Sequence, residues 1–298
     1  MSQQPAEFGG LSTGSDRRRR LRAARLYLVS DDQTPDHELP RVLAAAIEGG
    51  IDLFQLRRKG VPAPRLGELA RACSDICRAA NVLFIVDDHV ELAQEAGADG
   101  VHLGQEDTPL ERARQLLGPE VLLGKSTHNR DQVLAAVREG ADYVSAGPVH
   151  ETPTKAGRPA VGFEHVSIAA RQASVPVVAI GGMGRDEAAL AIESGADMVG
   201  VVRAICSAAD PRAAAAEIRG AMASAQPWSW IVINGTARKC RPQEHLGELA
   251  AALGVAEQGV VVEVNGEIPA RERWDEIELR SGDRLEMVHF VGGGSRDR

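Results

Sequence analysis

Acidic and basic side chains gather in a few short stretches of this 298-residue chain, and their types suit phosphate chemistry. QLRRK supplies Gln55, Leu56, Arg57, Arg58 and Lys59. FIVDDH contains Asp87 and Asp88, and HLGQED ends on Asp107. GKS carries Lys125 and Ser126, and TPTK carries Thr152, Pro153, Thr154 and Lys155. Mg2+ favours one or two carboxylates with phosphate oxygens completing its shell. Asp88 and Asp107 fit that demand, and Arg57, Lys59 and Lys155 complete an anion clamp. Together they suit a diphosphate leaving group. IGGMG (180–184) is a second anion signal, because glycines leave backbone N–H groups open to a phosphate. Thr152 and Thr154 add hydroxyl donors on a loop stiffened by Pro148 and Pro153. Two phosphorylated ligands are expected: a diphosphate with metal, and a monophosphate opposite. No Ser-His-Asp set and no nucleophile–base pair stands out. That favours displacing a diphosphate through a cation-like transition state over hydrolysis.

Nearly all of these residues fall at or just beyond the ends of short apolar runs. The runs are RLYLVS, IDLFQL, VLFIVDD, DGVHLG, VLLGKS, DYVSAGP, PVVAIGG and DMVGVV, with a helical pattern in nearly every gap. Alternating β and α elements imply a parallel sheet, and eight of them imply a closed (β/α)8 TIM barrel. Chemistry in that fold sits at the strand C-terminal ends, with phosphate held by the loops after strands seven and eight. Strands three and four are neighbours, about 4.8 Å apart, so Asp88 and Asp107 can reach one cation. An internal repeat supports the barrel: EGGIDLFQL, EAGADGVHL, REGADYVSA and ESGADMVGV. A helix ends on Gly50, Gly97, Gly140 or Gly195. A strand then begins just after Asp52, Asp99, Asp142 or Asp197. The repeat unit is two βα pairs. These four aspartates lie on the N-terminal face, away from the chemistry, and are read as structural.

Residues 1–22 are read as a disordered leader, with Arg17–Arg20 as a solvated charge run. The barrel is assigned to 23–222 and a linker to 223–227. The grammar then changes. WIVINGTARKC, HLGELAAALG, VVVEVNGEI and ELRSGDRLEMVHFV, with two Asn-Gly turn signals, predict a small antiparallel α+β domain over 228–294. Residues 295–298 form a C-terminal extension. The composition, 44% apolar and 26% charged, is ordinary for a globular protein. A net charge of −8 is not built to coat nucleic acid. No apolar run approaches the roughly 20 residues of a membrane helix, and no secretory signal is visible, so a cytoplasmic location is expected. Cys73, Cys77, Cys206 and Cys240 are expected to be reduced packing residues.

The barrel motifs QLRRK, VDDHVELA, GADGVHLGQED, GKST, ADYVSAGPVHETPTK and VVAIGGM closely resemble thiamine phosphate synthase. The resemblance implies an enzyme that joins 4-amino-2-methyl-5-(diphosphooxymethyl)pyrimidine to thiazole phosphate and releases pyrophosphate with Mg2+. It implies that Gln55, Leu56, Arg57, Arg58, Lys59, Asp87, Ser126 and Lys155 bind the pyrimidine diphosphate, with Lys59, Ser126 and Lys155 catalytic. It gives Asp88 and Asp107 the metal. Thr152, Pro153, Thr154, Gly182, Val202 and Arg203 fall to the thiazole phosphate. Two positions depart from the pattern: Asp87 stands where the family usually has Asn, and Arg203 where it usually has Ser. Two other readings stand beside this one. One is an inactive barrel serving as a scaffold for the second domain. The other is the related thiazole tautomerase, which needs neither diphosphate nor metal.

The second domain resembles the sulfur-carrier protein of thiazole synthesis, a ubiquitin-like β-grasp fold. The resemblance implies a terminal glycine carboxylate, adenylated by an E1-like adenylyltransferase, that carries sulfur to thiazole synthase. The chain ends FVGGGSRDR, so Gly293 and Gly294 would be that terminus once Ser295–Arg298 are gone. Intact mass spectrometry of the protein from its native cell is expected to show a chain ending at Gly294. A full-length chain that accepts sulfur would contradict this reading.

Overall fold

The computed structural model describes residues 13–152, 157, 159–255 and 260–289. Eight parallel strands close into a barrel in sequence order: β1 (Leu26–Val29), β2 (Leu53–Leu56), β3 (Leu83–Asp87), β4 (Gly100–Leu103), β5 (Leu122–Thr127), β6 (Tyr143–Ala146), β7 (Val177–Ile180) and β8 (Met198–Val201). The expected TIM barrel is present. Alternate residues along a strand face opposite sides of the sheet, which splits the core into two layers. Tyr27, Val29, Leu53, Leu83, Ile85, Leu122, Tyr143, Val178 and Met198 pack together inside the barrel. Leu26, Leu28, Phe54, Leu56, Phe84, Val86, Val101 and Leu103 pack outside, against the helices.

Helix α1 (Gly14–Ala23) precedes the barrel, with Thr13 as its N-cap. The disordered leader expected over 1–22 is therefore incorrect for residues 14–22; residues 1–12 lie outside the description. Leu21 and Ala24 join the inner core, so the segment closes one end of the barrel. Nor is the arginine run simply solvated. Arg17 Nε donates to Asp99 (2.8 Å) and Arg18 Nε to Asp142 (2.6 Å). The physical reason is the repeat itself, which gathers aspartates at the N-terminal face and creates a demand for cations.

Each of those aspartates also binds the start of the preceding strand. Asp52 Oδ2 accepts from the Leu26 amide (3.0 Å), Asp99 Oδ2 from Phe84 (3.0 Å), Asp142 Oδ2 from Leu123 (2.9 Å) and Asp197 Oδ2 from Val177 (2.8 Å). The structural reading of all four is borne out. Asp52 takes its cation from Arg219 (2.8 Å) of α10 (Pro211–Ala223). The cation of Asp197 comes from the second domain.

That domain is a four-stranded sheet in the order β10-β9-β12-β11. Its strands are β9 (Ser229–Ile233), β10 (Thr236–Cys240), β11 (Val260–Val264) and β12 (Arg284–His289), crossed by α11 (Leu246–Ala252). Asn234 and Gly235 both have positive φ, as the predicted two-residue hairpin requires. The sheet is not purely antiparallel as expected, because β12 runs parallel to β9. The long connection through α11 and β11 lets the last strand enter the centre of the sheet. All four cysteines are free and buried. Among the described residues no helix is long and apolar enough to cross a membrane.

The two domains meet through polar contacts at the barrel's N-terminal face. Lys239 of β10 is 2% exposed, and its Nζ donates to Asp197 Oδ2 and to the Gly195 carbonyl, both at 2.5 Å. Glu244 receives two bonds from Arg171 (2.8 and 2.5 Å) of α7 (Gly162–Gln172). Trp228 Nε1 donates to the Glu193 carbonyl (2.9 Å) beneath the Arg171 guanidinium. Removing one partner of a buried ion pair strands the other, at a cost of about 3–5 kcal/mol. Asp197→Ala is thus expected to lower stability by that amount in urea denaturation. A change below about 1 kcal/mol would show that the pair does not tie the domains together.

Candidate active site

The strand alternation decides which side chains of QLRRK reach the barrel mouth. Gln55 and Arg57 point inward and line a cavity of about 320 Å3 at the strand C-terminal ends. Leu56 points outward into the helix-covered layer. Arg58 is buried, and its guanidinium bonds the carbonyls of Asp31 and Thr34 in the loop after β1. Leu56 and Arg58 were expected with the ligand-binding group, yet neither lines the cavity. Arg58 braces the loop that carries Asp32, which accepts from Arg57 Nη1 (2.9 Å) and from the Lys59 amide (2.8 Å).

Asp87, Ser126, Thr152, Gly182, Val202 and Arg203 also line the cavity. Gly181 (φ +101°) and Gly182 (φ +72°), which line the cavity, take positive-φ conformations that glycine adopts without a steric cost. No side chain fits there: a Cβ on Gly181 would lie 2.6 Å from Pro148, and one on Gly182 2.7 Å from His150. The Gly184 amide is already taken by Glu187 (3.1 Å). Arg203 opens a single-turn helix, α9 (Arg203–Cys206), beside the glycines. Pro153, Thr154 and Lys155 lie outside the described residues, as do Gly293 and Gly294.

Lys59, Asp88 and Asp107 form a separate cluster next to Asp87. Asp88 adopts φ +60°, a left-handed turn that aspartate tolerates better than most residues. Its amide bonds the His102 carbonyl (2.9 Å), fixing the turn against β4. Its carboxylate contacts Lys59 Nζ and is hydrogen-bonded to Asp107. Asp107 Oδ2 accepts from the Gly104 amide (2.6 Å). Burial works against ionisation of both carboxyls, but the Asp107 hydrogen bond and Lys59 hold Asp88 below the usual range. Burial and the facing Asp88 carboxyl push Asp107 above it. Burial opposes the charge on Lys59 as well, yet Asp88 and Asp87 hold its ammonium above the ordinary lysine value. Two hard oxygen ligands forced this close call for a cation between them, so the donor set fits Mg2+. Among the described residues no group of three or more metal-type side chains converges, so substrate oxygens or water would complete the shell. Lys125 is occupied differently: burial pushes its ammonium down, and Nζ donates to the Gly104 carbonyl (2.7 Å).

The floor holds groups that no motif had marked as ligand-binding. His102 and Ser145 line it, and Tyr27 and Tyr143 lie directly beneath. One signal was available. The chain has only two tyrosines, both at inward positions of barrel strands, where a hydroxyl must find a partner.

Fold and cavity together define a (β/α)8-barrel protein with a cavity at the strand C-terminal ends. Residues 26–205 match the family model described as thiamine monophosphate synthase, and the chain belongs to that family. Residues 231–294 match the ThiS family model. A thiamine-phosphate synthase of Gloeobacter violaceus is 48% identical over 67% of this chain and 58% of its own length. The chain thus spans little more than half the length of that relative, as it does for one in a Nostoc species. A thiamine-phosphate synthase of Mycobacterium tuberculosis is 45% identical over 69% of this chain and 98% of its own. A solved thiamine phosphate pyrophosphorylase from Pyrococcus furiosus superposes with a TM-score of 0.63 at 33% identity, covering 69% of this chain and 97% of its own.

Gly182→Ala is expected to weaken binding of a phosphomonoester in calorimetric titration. It adds a left-handed alanine, which costs roughly 1–2 kcal/mol, and crowds His150. Unchanged affinity would show that the glycine turn does not face the ligand.

Proposed function

We propose that the barrel joins 4-amino-2-methyl-5-(diphosphooxymethyl)pyrimidine to thiazole phosphate, forming thiamine phosphate and pyrophosphate. The observation that carries this reading is the polarity of the mouth. Arg57, Lys59 and the paired carboxylates Asp88 and Asp107 gather at one end. Gly181, Gly182 and Arg203 stand at the other. Two phosphate groups are thereby held apart with the reacting atoms between them.

In this reading Arg57, Lys59 and Lys155 bind the diphosphate. Asp88 and Asp107 hold Mg2+, which when bound neutralises charge developing on the leaving pyrophosphate. Gln55, Asp87 and Ser126 orient the aminopyrimidine end, while the rest of the floor excludes water. The bond from the pyrimidine methylene carbon to the diphosphate oxygen breaks. The thiazole nitrogen, held by its phosphate at Thr152, Gly182 and Arg203, then forms the new carbon–nitrogen bond. Nothing here needs a side-chain nucleophile. Residues 231–294 would act as a sulfur carrier for thiazole formation, with an E1-like adenylyltransferase and thiazole synthase as partners. A cytoplasmic setting suits both roles.

The test is thiamine phosphate formation by the purified full chain from both substrates with Mg2+. Asp88→Ala and Asp107→Ala are each expected to lower kcat/KM about 100-fold or more, reflecting the several kcal/mol of lost charge stabilisation. Chelation should abolish the activity and Mg2+ should restore it. A wild-type protein that forms no thiamine phosphate would sink the proposal and favour the scaffold reading. Thiazole isomerisation that survives both substitutions would favour the tautomerase.

A further inference from the structure

The cavity floor contains a continuous run of hydrogen bonds. Gln55 Nε2 donates to Asp87 Oδ1. Tyr27 Oη donates to Gln55 Oε1 (2.9 Å) and lies 2.9 Å from Tyr143 Oη. Tyr143 Oη is 3.1 Å from His102 Nδ1. His102 Nε2 is 3.0 Å from Ser126 Oγ and 3.5 Å from Ser145 Oγ. The run crosses the barrel from β3 through β2, β1, β6 and β4 to β5. Gln55, Tyr27, Tyr143, His102 and Ser126 are all buried. Gly124 makes the crossing possible, since a Cβ there would lie 2.2 Å from Tyr143 Cζ and 2.5 Å from His102 Nδ1.

Its direction follows from one end. Arg57 Nε lies 3.6 Å from Asp87 Oδ2. Gln55 turns its NH2 toward Asp87 Oδ1 and its carbonyl toward Tyr27. Tyr27 uses its single hydroxyl hydrogen on that carbonyl. Tyr143 must donate to Tyr27, which leaves it no hydrogen for His102. His102 Nδ1 therefore carries the proton and donates to Tyr143. In the neutral ring Nε2 is bare, and it takes the hydroxyl hydrogen of Ser126. The lone pairs of Ser126 and the second amide hydrogen of Gln55 are what remain for a ligand.

We infer that Tyr27, Tyr143 and His102 are positioning residues. They form a one-way hydrogen-bond relay, set by Asp87, that presents Gln55 to the pyrimidine substrate as a donor and Ser126 as an acceptor. An amide at position 87 can donate or accept, so it would leave the direction open. The aspartate gives this chain a single polarity and a fixed pattern for the heteroatoms of the ring. The kinetic part rests on the proposed placement of the pyrimidine at this end of the cavity; the relay itself does not.

The test is the tautomer of His102 in the full chain, read without substrate from long-range 15N–1H spectra of protein labelled at histidine. His102→Gln identifies the signal by its loss. The expected wild-type result is a neutral ring protonated at Nδ1. In Asp87→Asn both tautomers should appear. Tyr143→Phe removes the Nδ1 acceptor and should shift the ring toward Nε2–H. It should also raise KM for the pyrimidine diphosphate about tenfold, the effect of one lost hydrogen bond, with KM for thiazole phosphate within about twofold. Gly124→Ala, which wedges Tyr143 from His102, should act in the same direction. Protonation of wild-type His102 at Nε2, or a tautomer and KM that Tyr143→Phe leaves unchanged, would overturn the relay. Because the tautomer is read without substrate, this holds even if the proposed reaction fails.

Discussion

The alternation of side chains along eight short parallel strands governs this molecule. A closed barrel has only two sides, and each strand residue is committed to one of them. Tyr27, Leu53 and Tyr143 fill the interior because their neighbours Leu26, Phe54 and Val144 fill the space beneath the helices. Carried one step past the strand ends, the same alternation puts Gln55 and Arg57 in the cavity and sends Leu56 and Arg58 away from it. Small residues then set what the interior can hold. Gly124, Gly147 and Gly200 leave the room that Tyr143 and Ile180 occupy, and an added Cβ at any of them meets another residue within about 3.2 Å.

The N-terminal face is organised by a second rule, applied four times. A carboxylate at the start of an even-numbered strand binds the amide at the start of the odd-numbered strand before it, tying the barrel into pairs. Partly buried carboxylates need cations, and the chain supplies them from different places. Two come from α1, which precedes the barrel, and one from α10, which follows it, while Arg114 gives Asp142 a second at 2.7 Å. The last comes from a different domain. Lys239 does for Asp197 what arginines do for Asp52, Asp99 and Asp142. The second domain is thus bound into the barrel's own electrostatic scheme.

Much of this was legible because it is local. Eight apolar runs, each flanked by a helical pattern, specify a barrel without reference to distant residues. The Gly-x-Asp repeat marks the N-terminal face for the same reason. What escaped depends on contacts across the chain. Nothing in RRRR announces that Arg17 meets Asp99 and Arg18 meets Asp142, so the run read as solvated. Tyr27 and Tyr143 are joined only once the barrel closes, and Lys239 looks like any lysine on a hairpin strand. The resemblance groups Leu56 and Arg58 with the rest of QLRRK, whereas the period of two already sets Gln55 and Arg57 apart from them. The antiparallel reading of the small domain failed because a pattern of strands does not say which one enters the middle of the sheet.

The docked position of the small domain has a consequence for traffic. It sits at the face opposite the cavity, and the interior between them is filled by two tyrosines and a packed set of aliphatic side chains capped by Leu21. The barrel is a solid wall between its two ends rather than a conduit. Anything held in the cavity enters and leaves at the strand C-terminal ends, and the packed interior separates it from the small domain. Joining the two in one chain fixes their ratio and their nearness.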